Sequence, residues 1–163
     1  MANQQLWLLR HGEAVPHESK PDFERELTAR GERQAVAAGE ALARLGLEVA
    51  ACYTSPLLRA RATAQLACEQ LNVEPEERAA LGKEFDVDTV RELLAEHGDG
   101  ARVLLVGHNP SFEQVVLDLT GGRVDFKKGG VADVRIDGAR GELLALLRPR
   151  ELESLAVSAL PQP

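Results

Sequence analysis

The stretch that decides the fold runs from Leu6 to Glu13 and reads LWLLRHGE. Its four consecutive apolar residues are typical of a strand that is covered on both faces, and the segment VLLV at 103–106 repeats the pattern. Both segments are predicted to be central parallel strands. Polar residues follow each of them directly, Arg10-His11-Gly12 after the first and Gly107-His108-Asn109 after the second. The same kind of junction therefore occurs twice in the chain.

The segments around these strands predict a regular alternation of helices and strands. The further elements are a helix over 29–45 with Thr28 as its N-cap, a strand over 49–53, a helix opening at Ser55-Pro56 and ending near 71, a short strand near 79–81, a helix over 88–97, a helix opening at Asn109-Pro110, and a hairpin of strands over 131–136 and 142–147. We expect the residues from about 152 onward to form a loosely held tail. The alternation predicts one domain over residues 1–163, a three-layer α/β/α sandwich with a mostly parallel central sheet and an antiparallel C-terminal hairpin.

The composition favours some classes of protein over others. The chain has 163 residues, 44% of them hydrophobic, and a formal net charge of −7, which argues against general affinity for nucleic acid or for an anionic membrane. No run of eighteen apolar residues and no secretion signal is recognisable, so we expect a cytoplasmic protein. Cys52 and Cys68 lack the spacing of a disulfide framework or a zinc site and are predicted to be buried.

Three polar clusters are predicted to meet at one place. They are Arg10-His11-Gly12, the segment SPLLR at 55–59 and the segment GHNP at 107–110, and each follows a predicted parallel strand. In open α/β sheets the ligand binds beyond the carboxyl ends of the strands, so we expect Arg10, His11, Arg59 and His108 in one crevice. Two guanidinium groups and two imidazoles around one point predict a site for phosphate, with neutral histidine available as a nucleophile.

The residues around these four complete the predicted site. Gly12, Ser55 and Asn109 are expected to contact the substrate, and two of the clusters lie where helices begin and backbone N–H groups attract anions. The arginines and His108 can balance the charge of a transferring phosphoryl group, so we predict no metal, no cofactor and activity that survives EDTA. Each cluster alone is weak evidence, because Ser-Pro commonly begins a helix and Gly-His-Asn-Pro can be a capped turn. Their occurrence at three equivalent strand ends is what favours the functional interpretation.

At these residues the sequence resembles the histidine phosphatase superfamily, which has the phosphoglycerate-mutase-like fold, and within it the SixA-type phosphohistidine phosphatases. The resemblance implies that His11 of the Arg-His-Gly motif is the phosphorylated nucleophile, with Arg10, Arg59 and His108 as the other pocket residues. Arg59 and Thr63 match the family's Ser-Pro-x-x-Arg-Ala-x-x-Thr motif. The segment LTARG at 27–31 looks like the family's Leu-Thr-x-x-Gly helix start, and we interpret it as structural and distant from the crevice.

Two departures from the larger phosphoglycerate mutase branch bear on the substrate. Ala14 follows Arg-His-Gly-Glu where that branch has Thr or Ser, and the chain is too short for its inserted capping segments. That branch also uses a carboxylate as general acid, for which Glu84 and Asp86 are candidates, although solvated loop acids are the simpler interpretation. A site without an acid favours phosphohistidine over a phosphate ester, because imidazole leaves unaided whereas an alkoxide needs a proton. We therefore expect a phosphorylated protein as the substrate.

Other interpretations stay open at this point. The chain could be a general phosphomonoesterase for small phosphate esters, or a phosphate- or phosphoprotein-binding module without turnover. A cysteine phosphatase is disfavoured, because Cys52 and Arg59 bracket six residues where that class needs five. A nucleotide-binding P-loop is disfavoured because its motif is missing from the sequence.

Overall fold

The computed structural model describes residues 3–158, within which the sequence forms six strands and five α-helices. The strands are β1 (Asn3–Arg10), β2 (Ala51–Thr54), β3 (Pro75–Glu77), β4 (Arg102–Gly107), β5 (Val131–Asp137) and β6 (Arg140–Leu147). The helices are α1 (Ala29–Arg44), α2 (Leu58–Leu71), α3 (Val87–Leu94), α4 (Ser111–Thr120) and α5 (Pro149–Ser158), and two short 3-10 turns lie at Asp22–Glu24 and Ala79–Leu81. No helix in this part of the chain has the length and apolar character needed to cross a membrane.

The six strands form one sheet in the order β3-β2-β4-β1-β5-β6. The first four strands in this order are parallel to one another, whereas β5 runs antiparallel to β1 and pairs with β6 as a hairpin. The predicted α/β class with its antiparallel C-terminal hairpin is confirmed. In the pairing of β1 with β4, Arg10 lies opposite Gly107, so the residues that follow the two strands emerge side by side.

Alternate side chains of β1 enter two separate apolar layers. Leu6 and Leu8 belong to a core that also contains residues of α3 and α4, whereas Trp7 and Leu9 belong to a core formed with α1, α2 and α5. This alternation is the period-two geometry of a strand covered on both faces. The three predicted layers are therefore present, with the sheet in the middle.

Two predicted helix caps are wrong. Leu57 occupies the N-cap position of α2, and Pro110, after a cis peptide bond, occupies that of α4, so α2 begins two residues and α4 one residue later than predicted. Ser55 and Asn109 do not serve as caps because their side chains bond to residues remote in sequence or further along the helix. Each side chain combines a local bond, Ser55 with the Leu57 amide and Asn109 with Glu113, with a bond to a distant segment.

Three other boundaries also need correction. The segment 79–81 is a 3-10 turn, and the edge strand of the sheet is Pro75–Glu77 instead. The tail predicted from about 152 is instead part of α5, whose Leu152 is fully buried in the core shared with α1. Residues 159–163 of that predicted tail lie outside the described residues. Cys52 and Cys68 are buried and free, as predicted.

Candidate active site

His11 lies at the point where β1 ends, and its ring is fixed by its own backbone. The His11 amide donates to the carbonyl of Gly107 at 3.0 Å, and the ring Nδ1 lies 2.7 Å from the carbonyl oxygen of Gly12. Because a carbonyl can only accept, Nδ1 carries the proton and donates. The lone pair is therefore on Nε2, which makes Nε2 the nitrogen able to attack an electrophile.

The loop that carries His11 is held by α2. The amide of Gly12 donates to Thr63 Oγ1 at 3.1 Å, and the Thr63 hydroxyl donates to the carbonyl of Arg59 at 2.7 Å. Arg59 and Thr63 lie one helical turn apart on α2, which explains their fixed spacing in the motif. A single helix thus positions both the loop that carries His11 and the side chain of Arg59.

The same loop packs against the first turn of α1. A Cβ added to Gly12 would lie 2.6 Å from the carbonyl oxygen of Gly31, and a Cβ added to Gly31 would overlap the carbonyl of Glu13. Thr28 caps α1 by accepting from the Gly31 amide at 3.0 Å, and its hydroxyl donates to the Glu13 carboxylate at 2.9 Å. The segment 27–31 was expected to be distant from the crevice, but it supports the Arg-His-Gly-Glu loop directly.

His108 lies beside His11, with the two ring centroids 5.2 Å apart. Its Nε2 is 2.7 Å from Ser55 Oγ, which already accepts from the Leu57 amide at 3.2 Å. We assign the Ser55 hydroxyl as the donor, because Nε2 is the acceptor within reach of its hydrogen among residues 3–158, and the proton of a neutral His108 ring is then on Nδ1. Ser55, which was predicted to contact the substrate, is fully buried and hydrogen-bonded to the His108 ring.

The two arginines of the predicted site approach from different elements. Arg59 on α2 is 3% exposed, and its Nη1 donates to the backbone carbonyl of Asp22 at 2.9 Å. Arg10 at the end of β1 donates through Nη1 to the carbonyl of Phe126 at 2.7 Å. Asn109 donates to that same carbonyl at 3.1 Å and to Glu113 at 2.9 Å, which places it beside Arg10.

Several buried polar atoms at this place have no hydrogen-bond partner within residues 3–158. They include three nitrogen donors, Arg10 Nε, Arg59 Nε and His108 Nδ1, and one acceptor, Asn109 Oδ1. A buried donor without a partner costs free energy, so donors that remain unpaired indicate a ligand that supplies acceptors. The three donors belong to three of the four residues predicted to form the pocket. A compact anion with several oxygens is the kind of ligand that fits them.

Both pocket histidines are neutral at pH 7 in the free protein. Burial, reinforced by the positive charge of neighbouring His108, Arg59 and Arg10, lowers the pKa of His11 to about 3, although its bond to Gly12 acts in the opposite direction. Burial and the charge of Arg59 lower the pKa of His108 to about 4. His11 is therefore available as a nucleophile.

Sequence reasoning missed Asp22, which is the carboxylate nearest to Arg59. Its oxygens lie 3.4 Å from Arg59 Nη2, 3.1 Å from Arg25 Nε and 3.2 Å from Lys83 Nζ. Partial burial raises the pKa of Asp22, but the hydrogen bond from Lys83 and the charges of Arg59 and Lys83 prevail and hold it at about 2. Arg25 is only 6% exposed and also donates to the carbonyl of Val15 at 2.9 Å. The one available signal was the spacing of Asp22 and Arg25, three residues apart just before the Leu-Thr helix start.

The candidate acids lie on the segment that leads into α3. Asp86 is exposed and caps α3 by accepting from the Thr89 amide at 3.1 Å. Glu84 is also exposed, and its neighbour Phe85 is joined to the start of α4 by a bond from its amide to Ser111 Oγ at 3.2 Å. Within residues 3–158, no three His, Cys, Asp or Glu side chains are grouped in a way that could hold a metal ion.

Comparison with known proteins identifies similar chains. Residues 6–90 match the model of the histidine phosphatase superfamily (branch 1). An uncharacterised protein of Picosynechococcus sp. is 32% identical over 162 residues, covering 91% of this chain and 98% of that protein.

Two solved structures are similar over almost their whole length. The protein histidine phosphatase SixA in complex with tungstate superposes with a TM-score of 0.81 at 27% identity, covering 91% of this chain and 99% of that one. A protein assigned as the phosphohistidine phosphatase SixA of Nakamurella multipartitia has a TM-score of 0.76 at 25% identity, with 91% and 98% of the two chains covered. The predicted resemblance to the SixA type is confirmed at the level of family and fold.

Proposed function

The chain belongs to the histidine phosphatase superfamily (branch 1), and from this premise we propose that it hydrolyses phosphohistidine on a protein through a phosphorylated His11. Membership and the SixA-like neighbours support a phosphatase. The proposed phosphoryl transfer to His11 has its main support in one observation, the three unpaired buried donors of the pocket residues together with the uncharged ring of His11. A phosphoryl group would supply the acceptors that these donors lack.

In the first step His11 Nε2 attacks phosphorus in line with the bond to the leaving group. The new bond joins phosphorus to Nε2, and the electron pair of the broken P–N bond goes to the leaving imidazole of the substrate. The proton stays on His11 Nδ1, hydrogen-bonded to the Gly12 carbonyl 2.7 Å away, and this carbonyl stabilises the positive charge that the ring acquires. This bond also holds the ring at the angle of attack.

The donors around the phosphoryl group balance its charge. Arg10 and Arg59 would donate to the non-bridging oxygens, and His108 would donate through Nδ1, because Ser55 occupies its other nitrogen. These donors can neutralise the negative charge of the phosphoryl group without a metal ion. We therefore expect activity in the presence of EDTA. In the second step water attacks phosphorus, the electron pair returns to Nε2, and phosphate leaves with one proton of that water while the other goes to solvent.

The carboxylates near the site favour a nitrogen leaving group. Asp22 contacts Arg59, but its pKa of about 2 keeps it ionised, so it has no proton to give at neutral pH. Asp86 is exposed and engaged as the cap of α3. A protonated phosphoimidazole releases neutral imidazole without an acid, whereas an alkoxide does not leave without one. This difference favours phosphohistidine over an ordinary phosphate ester.

The test compares the turnover of two substrates by matched variants. His11→Ala should lose at least a thousand-fold in turnover of a phosphohistidine peptide and of p-nitrophenyl phosphate, as is typical when a nucleophile is removed. His17→Ala, in which a largely exposed histidine is replaced, should behave like the wild type. Undiminished turnover by His11→Ala would contradict the proposal.

Two further experiments separate the alternatives. Incubation with a labelled phosphodonor should trap acid-labile phosphate on wild type but not on His11→Ala, and failure to trap it would favour a binding module without turnover. Glu84→Gln and Asp86→Asn should leave phosphohistidine turnover intact. A large loss on phosphate esters in either variant would favour a general phosphomonoesterase.

A further inference from the structure

A groove with a strongly basic lining opens next to Arg10. It has a volume of about 480 Å³, and we call it the basic groove. Its cationic lining residues are Arg10, Arg30, Lys127, Lys128, Arg148 and Arg150. They come from the end of β1, from α1, from the loop before β5 and from the start of α5. Since Arg10 lines this groove and also belongs to the pocket of His11, the two sites are continuous.

The charge of the basic groove is opposite to that of the whole chain. One carboxylate, Glu13, is part of the lining and lies 3.7 Å from Arg30. Two more carboxylates pair with groove residues, Asp125 with Lys127 and Glu151 with Arg148, each at 2.9 Å. With Glu113, whose charge acts on Arg10, six cations face four carboxylates and leave a surplus of two positive charges in a chain whose net charge is −7. Such a local inversion attracts and orients an acidic partner.

The turn that carries the two lysines of the basic groove is hydrogen-bonded to the backbone of Arg10 and His11. The amide of Gly129, directly after Lys127-Lys128, donates to the carbonyls of Arg10 at 3.0 Å and His11 at 2.9 Å. The Arg10 amide in turn donates to the carbonyl of Gly130 at 3.1 Å. Gly129 has a φ of 77°, which suits glycine, and a Cβ added there would lie 3.0 Å from the Gln34 Cβ. The position of this turn relative to His11 is therefore fixed by the fold.

We propose that the basic groove binds acidic side chains that flank the phosphorylated residue of the protein substrate. This inference rests on the proposed function, because it assigns a partner to the same site. The cations are spread over four separate elements around an open groove, which suits several carboxylates along a polypeptide better than one compact phosphate. Arg10 connects the two sites, so a chain whose phosphoryl group is at His11 brings its flanking residues into the groove.

The first measurement is binding to the His11→Ala variant, which does not depend on turnover. Two phosphohistidine peptides are compared by calorimetry, identical except that one has Glu and the other Gln at the flanking positions. We expect the Glu peptide to bind about ten-fold more tightly at low salt, since several exposed ion pairs each add a small factor, and we expect the difference to vanish at high salt. Lys128→Ala or Arg150→Ala, added to this background, should bring the Glu peptide close to the affinity of the Gln peptide.

The matched control is Arg44→Ala, which removes an equal charge from an exposed position in the last turn of α1. It should leave the preference for the Glu peptide unchanged. Equal affinities of the two peptides, an equal loss in Arg44→Ala, or an equal loss of both peptides in Lys128→Ala would each overturn the inference. A fourth outcome would also overturn it: Lys128-dependent binding of pyrophosphate, combined with equal affinity for the Glu and Gln peptides. That result would show that the groove binds a small anion.

The two proposals fail in different ways. A Glu preference in binding, combined with no hydrolysis of either peptide by the wild type, would contradict the phosphohistidine proposal and leave the basic groove as a docking site for acidic chains. Hydrolysis of both peptides at equal kcat/KM, with equal binding, would support the proposed phosphatase activity. It would overturn the proposal that the basic groove binds acidic side chains.

Discussion

The guanidinium of Arg59 is held by Asp22, a residue 37 positions earlier in the chain. Arg59 Nη1 donates to the Asp22 carbonyl at 2.9 Å, and the Asp22 carboxylate lies 3.4 Å from Nη2. The backbone contact orients the arginine, whereas the carboxylate places a negative charge beside the atoms proposed to bind the phosphoryl group. Any anion that enters the pocket therefore meets repulsion from Asp22 as well as attraction from Arg59.

Replacement of Asp22 by Asn should strengthen anion binding. The carbonyl contact to Arg59 remains, while the competing charge disappears. Asp22 is about one-third exposed, so the expected gain is that of a partly screened ion pair, on the order of 0.5–1 kcal/mol, or two- to five-fold in the inhibition constant of phosphate or tungstate. Asp137→Asn, an exposed control, should not change that constant. Weaker inhibition in Asp22→Asn would show that the carboxylate orients Arg59 instead of opposing the ligand.

Ser55→Ala should lower kcat without raising KM. The Ser55 hydroxyl fixes His108 with its proton on Nδ1, and its removal frees the ring to rotate or change tautomer. A lost hydrogen bond of about 1–1.5 kcal/mol corresponds to a roughly ten-fold loss in kcat. Nitrogen NMR of the His108 ring should show the tautomer change directly. The exposed Ser19→Ala is the control, and an unchanged His108 spectrum in Ser55→Ala would contradict the assigned role.

The location of the site could be predicted from sequence because it depends on strand ends. The apolar segments at 6–9 and 103–106 identify central parallel strands, and the register then places His11 and His108 side by side. No knowledge of side-chain packing is needed for this step. The same argument brings in Arg59, since α2 follows the neighbouring strand β2.

The parts that sequence did not predict depend on contacts between distant segments. Ser55 looks like a local helix cap, but its hydroxyl bonds to a residue 53 positions away. Asp22 and Arg25 look like exposed loop charges, and only the folded loop brings them onto Arg59. The packing of Gly12 on Gly31 likewise joins a loop to the start of a helix. A local sequence pattern does not include contacts with distant segments. Helix-capping and exposure preferences were therefore wrong for these residues.

Gly31→Ala should damage both stability and activity. Its Cβ would overlap the Glu13 carbonyl, and backbone on both sides leaves the loop no flexible side chain that could give way. We expect a loss of about 1–3 kcal/mol in the free energy of unfolding, as for other overpacked sites, measured by urea denaturation. Turnover should also fall, because the displaced loop carries His11. Gly98→Ala is the matched control, since a Cβ there meets no atom of the described residues within 4 Å, and equal effects of the two changes would contradict this account.

The two buried histidines should make the protein less stable in mild acid. The pKa of His11 is about 3 and that of His108 about 4, both below the ordinary value of 6.5 that applies after unfolding. Between pH 6.5 and the folded-state pKa values, the two histidines bind protons in the unfolded chain but not in the folded chain. The free energy of unfolding therefore falls as the pH falls through that window. At pH 5 each histidine costs about 2 kcal/mol relative to pH 8.

One buried carboxyl acts in the opposite direction, so the effect of His11 has to be isolated. Burial raises the pKa of Asp133 to about 6, above its unfolded value, and this group therefore adds stability as the pH falls through 6. Asp133 is present in both wild type and His11→Ala, so its contribution cancels when their free energies of unfolding are subtracted. Between pH 8 and pH 5 the unfolding free energy of wild type should drop by about 2 kcal/mol more than that of His11→Ala. Parallel pH profiles of the two proteins would mean that burial does not lower the pKa of His11 below its unfolded value, so that the folded protein also protonates His11 at pH 5.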